Sequence, residues 1–375
     1  MKITAVRTYV LQHKLKHAAG PGNHFYRERQ VLIVKLETDA GVSGWGETAA
    51  FGGVRSLIEQ QYAPILIGRN PVAFRPLWNE IWGRNFGNGM AVGAVAIALD
   101  DLRGKALGIS VSDLYGGRLR DQVDCYCSAM GYLEGVDPEE QYPRDALAAK
   151  KRGFRAYKFR IGAFPVRKDV AALEKVRAAV GPDFKLMADG NGCYTVGTAI
   201  EMGRHLERLG FYWFEEPLPQ STPEYAAYDL IRAKLDIPLA ACEGMTSRGN
   251  FKEAISRRAM DIVQPDPALA GGIAECLFIA EMARLYGIPC MPHCWAGGLN
   301  TAACVHLVSL LPNLSYSRDS EAPLAEIGVD ENPFLDDLLV KPLEFKDGKM
   351  TVPTTPGLGV EVDEAKLKFY SLDSK

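Results

Sequence analysis

The chain of 375 residues contains no apolar run that could cross a bilayer. Its most apolar stretch, Ala91–Leu99, falls far short of the roughly 20 residues a membrane helix needs. It has no arginine- or lysine-rich run either. Its 43 basic residues nearly balance 46 acidic ones, for a formal net charge of -3, which argues against nucleic acid or an anionic membrane as partner. A secretory leader is not expected, because Met1-Lys2-Ile3-Thr4 opens directly into a strand-like pattern that Lys14 and Lys16 interrupt; a cytoplasmic protein is the expectation. The eight cysteines are scattered at 125, 127, 193, 242, 276, 290, 294 and 304, and a chain this long needs no disulfide staples, so free thiols are expected. Cys290, His293 and Cys294 invite a zinc reading, but no second pair with structural-zinc spacing accompanies them. A GxGxxG fingerprint after the first strand is also missing, which disfavours an open dinucleotide-binding sheet.

What is present is an ordinary globular balance, 47% hydrophobic and 24% charged, in a chain longer than one hydrophobic core normally serves. Two domains, or a barrel with an appended domain, follow. Residues 1–50 read as three strands, Ile3–Leu11, Gln30–Leu36 and Val42–Glu47. Helical patterns follow at Ser56–Leu66, Pro71–Trp82 and Gly89–Leu107. Strands followed by helices describe an α+β cap over residues 1–122. From Val123 the rhythm changes. Short strand-like runs recur at Val123–Ser128, Ala156–Phe159, Lys185–Ala188, Phe211–Phe214, Pro238–Cys242, Met260–Val263, Pro289–Met291 and Leu314–Ser317, most of them followed by an amphipathic helical stretch. Eight strands alternating with helices predict an α/β fold, a parallel barrel over 123–330. Residues 331–375 are expected to return and complete the cap.

The ends of these strands carry the chemistry. Strand two ends in Lys158 and Arg160, strand three in Asp189, strand four in Glu215 and Glu216, strand five in Glu243, strand six in Asp266 and strand seven in His293; strand eight leads to Glu321. From 158 to 321 the steps are 31, 26, 28, 23, 27 and 28 residues, one ionisable group per βα unit, all on the C-terminal face where such barrels do chemistry. Each residue alone has a plainer explanation. Asp189 before Gly190 suits a turn, Asp266 between prolines suits a loop start, and an isolated histidine is more often a partly buried structural residue. Turn chemistry, however, gives no reason for seven such residues to fall in register.

Neighbouring strands lie about 4.8 Å apart, so carboxylates from Asp189, the Glu215–Glu216 pair and Glu243 can converge on one ion. An all-oxygen site suits a hard cation, and Mg²⁺ would keep positions open for substrate. Asp266 can bond one nitrogen of His293 and make the other a base. Lys158 and Arg160, two apart on one strand, point the same way, on the flank opposite His293. A carboxylate substrate held between cations and base would lose its α-proton to give an enediolate, and a protonated Glu321 could donate a hydrogen bond to it.

The chain resembles the mandelate racemase subgroup of the enolase superfamily over essentially its whole length. The residues carrying the resemblance are Gly44-Trp45-Gly46-Glu47, Ala96 to Gly108 with Leu114-Tyr115-Gly116-Gly117, Asp189-Gly190-Asn191, Trp213-Phe214-Glu215-Glu216-Pro217, Glu243, Gln264-Pro265-Asp266, Pro292-His293 and Pro356-Gly357-Leu358-Gly359-Val360. The resemblance implies a modified TIM barrel, (β/α)7β, with an α+β capping domain formed by the N-terminal third and the C-terminal segment. It implies Mg²⁺ held by Asp189, Glu215 rather than Glu216, and Glu243. It also implies a His293–Asp266 dyad and Glu321 as enediolate hydrogen-bond donor.

One departure is informative. The family often places Lys-x-Lys at the end of the second barrel strand, the second lysine being a base; here that position is Arg160, which stays protonated. A racemase needs bases on both faces, whereas a dehydratase needs one, so Arg160 better suits a carboxylate or enediolate clamp and Lys158 a cation. The basic, polar stretch His13–Arg29 is expected to form a mobile loop over the barrel mouth, with His24, Tyr26 and Arg27 contacting substrate beside Asn191. Such a lid suits a polyhydroxy acid. An acid-sugar dehydratase is thus the first expectation. A one-base cycloisomerase of an acid-sugar lactone, a racemase using Lys158 and His293, and a barrel that only binds are the alternatives. A small hydroxy acid as substrate and a homo-oligomeric assembly complete the expectations.

Overall fold

Val31-Leu32-Ile33-Val34 is too apolar and β-branched for a surface strand, and it forms the middle of a buried sheet. In the computed structural model, which describes residues 1–85, 87–129, 131–219 and 225–374, β1 (Ile3–Gly20), β2 (Tyr26–Thr38) and β3 (Ser43–Ala49) run antiparallel. The helix Gly89–Leu107 lies across this sheet. It has apolar residues all round because it is covered on two sides. Gly44 and Gly46 of β3 let it approach closely: a Cβ on Gly46 would overlap the Ala94 carbonyl oxygen. On its other side Gly93 meets the carbonyls of Pro267 and Ala268, so the cap helix seats directly on the segment that follows Asp266.

The stretch 13–29, expected as a mobile loop, is instead mostly hairpin. β1 continues to Gly20, with His13 opposite Arg29 and Lys14 opposite Glu28, and β5 (Tyr132–Leu133) pairs with its end. Its side chains and backbone find partners remote in sequence: Glu331 accepts from His13 Nε2 at 2.9 Å and from the Lys16 backbone N–H at 3.0 Å, and Glu134 holds the Arg27 side chain. Only residues 21–25 turn. Gly22 sits so close to Gly162 and Cys193 that no side chain fits there.

The barrel strands follow in chain order and in parallel: β4 (Gln122–Ser128), β6 (Ala156–Arg160), β7 (Lys185–Asp189), β8 (Trp213–Glu215), β9 (Leu239–Ala241) and β10 (Ile262–Val263). A seventh run meets β10 through a bridge between Val263 and Cys290. The eighth strand, β11 (Ala325–Gly328), pairs with β4. Strand eight is therefore not Leu314–Ser317, where Tyr316 is 91% exposed and no strand forms. The true strand hid because its inward residue is the polar Glu326. The hairpin of β12 (Phe345–Lys346) and β13 (Lys349–Thr351) joins the start of β4, and the helix Glu364–Tyr370 packs on β1, so the last residues serve both barrel and cap. No helix among the described residues is long and apolar enough to cross a membrane.

Three of the resembling segments meet at one buried carboxylate. Asp101 accepts the Trp45 N–H at 2.9 Å, the Leu358 N–H at 2.9 Å and Lys105 Nζ at 2.6 Å. A side chain on Gly357 would overlap it. These three donors offset part of the cost of burying Asp101, whose pKa burial still raises, and the junction locks cap sheet, cap helix and C-terminal segment together. If Gly46 is glycine for helix approach, Gly46→Ala should cost about 1–3 kcal/mol by overpacking. A lower urea midpoint would show it, whereas Gly52→Ala, in open space, should leave the midpoint unchanged.

Candidate active site

The parallel strands end in register, and so do their polar side chains. Arg160 stands beside Asp189 and Asp189 beside Glu215 in the ladder. Beyond β7, Asn191 takes a positive φ of 41° while its N–H donates to Asp189 Oδ1 at 2.8 Å, a tight turn that keeps the carboxylate at the strand end. Cys242, at φ 91°, turns the chain just before Glu243.

Ligand oxygens of Asp189, Glu215 and Glu243 lie within 4.8 Å of one another. Glu215 presents only one of its oxygens to this cluster, because Trp213 Nε1 and Gln264 Nε2 donate to Oε2 at 2.9 and 2.8 Å. Its Oε1 is contacted by Lys158 Nζ, and Asp189 by Arg160. An all-carboxylate donor set with cations already drawn onto it fits a hard divalent ion such as Mg²⁺. Glu216 is buried too, but it is not one of the three carboxylates whose oxygens gather there. The zinc reading of Cys290, His293 and Cys294 finds no such gathering of ligand atoms among the described residues.

On the opposite flank, His293 Nδ1–H donates to Asp266 Oδ2 at 2.8 Å, which leaves Nε2 facing the cavity, 3.4 Å from Glu243 Oε2. Burial alone would lower the His293 pKa; in the metal-free site Glu243, Glu326 and Asp266 outweigh it and raise it to about 10. Glu243, the largest of these charges, is one that a bound divalent ion would neutralise, which returns the imidazole toward its basic form. Lys158 is fully buried, with Nζ 2.9 Å from Glu326 Oε1 and 3.6 Å from Asp189 Oδ2. Burial pulls its pKa down, but Glu215 and Glu326 more than compensate, so Lys158 is held as an ammonium. Arg160 donates to Asn191 Oδ1 at 3.1 Å and lines the cavity.

Glu321 is not part of this site. It is exposed beyond the N-terminal end of the strands, where Lys185 donates to it at 2.6 Å and Tyr212 at 3.3 Å. The carboxylate on strand eight is Glu326. Its Oε2 accepts the Cys294 N–H at 2.9 Å and lies 4.0 Å from His293 Nε2, so it joins the lysine side to the histidine side. Burial works to raise its pKa, yet Lys158, His293 and Arg160 hold it far below the usual carboxylate range.

A cavity of about 590 Å³ opens between cap and barrel, with Arg160, Asn191, Glu243 and His293 on its floor. Of the expected cap contacts, Tyr26 lines it. Arg27 does not: its side chain is 69% exposed and tied to Glu134. His24 is exposed and stands edge-on against Tyr26. The arginine that reaches the cavity is Arg29, stacked 4.6 Å over Trp295 with Nε donating to the Glu331 carbonyl at 2.9 Å. Trp295 and Gln264 were readable in principle, since each lies two residues from a functional side chain. Glu326 and Arg29 needed the strand and hairpin limits.

Fold and site together define a barrel whose strand ends gather three carboxylates that could hold a metal ion, two buried cations and a histidine–aspartate pair. Residues 7–116 match the N-terminal domain model of the mandelate racemase / muconate lactonizing enzymes, and residues 141–366 match the enolase C-terminal domain-like model. The chain belongs to this family of the enolase superfamily. Similar relatives include D-galactarolactone cycloisomerase of Agrobacterium fabrum, 34% identical with 99% of each chain covered. D-galactonate dehydratase of Xanthomonas axonopodis pv. citri is 34% identical, over 98% of this chain and 94% of that one. The crystal structure of 3,6-anhydro-D-galactonate cycloisomerase from Zobellia galactanivorans superposes with a TM-score of 0.88, at 32% identity, covering 99% of both chains.

Exchanging the two glutamates experimentally separates the sequence expectation from the geometry. Glu326→Gln should lower kcat by about 10²–10³-fold, the scale of losing one charge-stabilising group. Glu321→Gln, which removes only a surface contact to Lys185, should leave kcat within about twofold.

Proposed function

We propose that the protein is an acid-sugar dehydratase. It would remove the α-proton of a hydroxylated carboxylate and eliminate the β-hydroxyl as water, giving a 2-keto-3-deoxy acid. The observation that supports this most is the asymmetry of the site: one histidine base, oriented by Asp266, faces a lysine and an arginine both held protonated.

Bound Mg²⁺, held by Asp189, Glu215 and Glu243, would supply charge stabilisation for the carboxylate as it gains electron density. The remaining steps fall to this chain's own side chains. Arg160 and Lys158 flank the substrate carboxylate as cations. His293 Nε2 takes the α-proton, and the C–H electron pair moves into the enediolate. The imidazolium so formed lies on the same face as the β-hydroxyl and returns the proton there, so that water leaves and the enol relaxes to the ketone. Glu326, in contact with Lys158 and near His293, helps retain both as cations while the substrate is an enediolate.

A second reading is a one-base cycloisomerase acting on an acid-sugar lactone or anhydro sugar. The same His293 would serve it, and it is favoured by full-length similarity to two cycloisomerases. Incubation of aldonates, aldarates and their lactones with enzyme and Mg²⁺ separates the readings. A 2-keto-3-deoxy product supports the dehydratase, and ring opening without loss of water supports the cycloisomerase.

Two outcomes are expected once a substrate is found. Chelation should abolish turnover and Mg²⁺ restore it; Asp189→Asn and Glu243→Gln should lose Mg²⁺ binding in a calorimetric titration of the resting protein. In heavy water, starting material recovered at partial conversion should retain its α-configuration, because Arg160 cannot return a proton from the second face. Appearance of the opposite epimer at a rate comparable to turnover would sink the one-base mechanism.

A further inference from the structure

We propose that Glu47, a residue of the cap, is a positioning residue for the His293–Asp266 dyad of the barrel, acting through the start of the helix Gly298–Leu310 and through Asn300. Glu47 stands near the end of β3 and is 1% exposed. Its Oε1 accepts the Gly297 N–H, and its Oε2 accepts the N–H groups of Leu299 and Asn300 at 3.2 Å each. Those are donors that the first turn of a helix leaves without partners of its own. The seat is close: a Cβ on Gly297 would fall 2.8 Å from Glu47 Oε1 and 2.9 Å from the Phe334 carbonyl oxygen.

A helix cap alone would explain those bonds, but not what the helix then does. Asn300, fully buried, turns its Nδ2 onto Asp266 Oδ1 at 2.9 Å. That oxygen also accepts the Ala268 N–H at 2.8 Å, while Oδ2 holds His293. The next cap residue grips the other side, since Thr48 Oγ1 donates to the Ala268 carbonyl at 2.8 Å. β3 is thus bonded to both segments whose groups fix the Asp266 carboxylate. From a cap carboxylate to the base there are three successive links: Glu47 to the Asn300 backbone, Asn300 to Asp266, Asp266 to His293. A carboxylate whose two oxygens accept from three fixed donors has little freedom to rotate, and the imidazole it holds inherits that orientation. Misplacing a base by an ångström costs about 10²-fold in rate.

The inference rests on His293 being the base, as proposed above, and not on which sugar is used. The substitutions are Glu47→Gln, Glu47→Asp and Asn300→Ala. Glu47→Gln turns an amide donor toward backbone donors; Glu47→Asp keeps the charge one methylene short. With the substrate identified, kcat should fall at least about tenfold for Glu47→Gln and for Asn300→Ala, with KM within about threefold. Glu47→Asp should lie between. The Glu47→Gln/Asn300→Ala double variant should lose far less than the product of the single losses, because the two act in series.

A second readout needs no substrate. In enzyme labelled with ¹⁵N-histidine, six histidines contribute, and His293→Asn identifies the Nδ1–H resonance bonded to Asp266. That resonance should shift in each Glu47 variant that folds and in Asn300→Ala, and stay in place in Arg69→Met, which removes an exposed cap pair with Glu80. A resonance unmoved in the Glu47 variants overturns the proposal. So does a rise in KM with kcat intact, which would mean that Glu47 touches substrate. An error in the base assignment would show separately, as α-proton exchange surviving in His293→Asn.

Discussion

Everything about this molecule follows from the need to bury opposite charges together at one end of a barrel. Asp189, Glu215, Glu216, Asp266 and Glu326 are nearly inaccessible, and so are Lys158, Arg160 and His293. Removing such groups from water is costly unless each finds a counter-charge or a donor. The strand ends supply this arrangement because a parallel ladder places successive side chains a fixed distance apart, with Arg160, Asp189 and Glu215 side by side. The carboxylates outnumber the cations that touch them. The surplus suits the site to a divalent ion, and in the ion's absence it raises the pKa values of His293 and Lys158.

Protein scaffolding completes what charge begins. Glu215 has one oxygen committed to Trp213 and Gln264, Asp266 has both committed to Asn300, Ala268 and His293, and Glu326 is tied to the Cys294 backbone. Each functional carboxylate therefore has its rotation restricted before any substrate arrives, which is the preorganisation that electrostatic catalysis requires. The cap takes part through the helix Gly89–Leu107, packed between its own sheet and the residues after Asp266.

The sequence revealed this architecture wherever period and chemistry agreed. Strands two to six were visible as short apolar runs because their outward faces are buried under helices, and their last residues stood out as ionisable groups after such runs. Strand eight failed for the opposite reason. Ala325-Glu326-Ile327-Gly328 is short and has a charge at its centre, while Leu314–Ser317 imitates a strand on the surface. The site residue drawn from it was correspondingly wrong by five positions, since Glu321 follows the false strand and Glu326 lies within the true one. The hairpin at 13–29 looks like a loop in the sequence because the partners of its side chains, Glu134 for Arg27, Glu331 for His13 and Asp330 for Arg29, are ones no local pattern announces. Arg27 and Arg29, two residues apart, share a face of β2, and position along the strand separates them: Arg27 lies nearer the tip and is tied to Glu134, whereas Arg29 lines the cavity.

The tip of that hairpin has a consequence for how such an enzyme diversifies. Gly22 rests against Gly162 and Cys193 with no room for a side chain, while the strands behind it are continuous with the cap sheet. The tip is thus a small exchangeable module on a fixed mount. Pro21 is the residue of this tip that lines the cavity, so the tip borders the mouth without touching the strand ends that hold the charges. The turn that borders the mouth and the strand ends that hold the charges are thus separate stretches of chain.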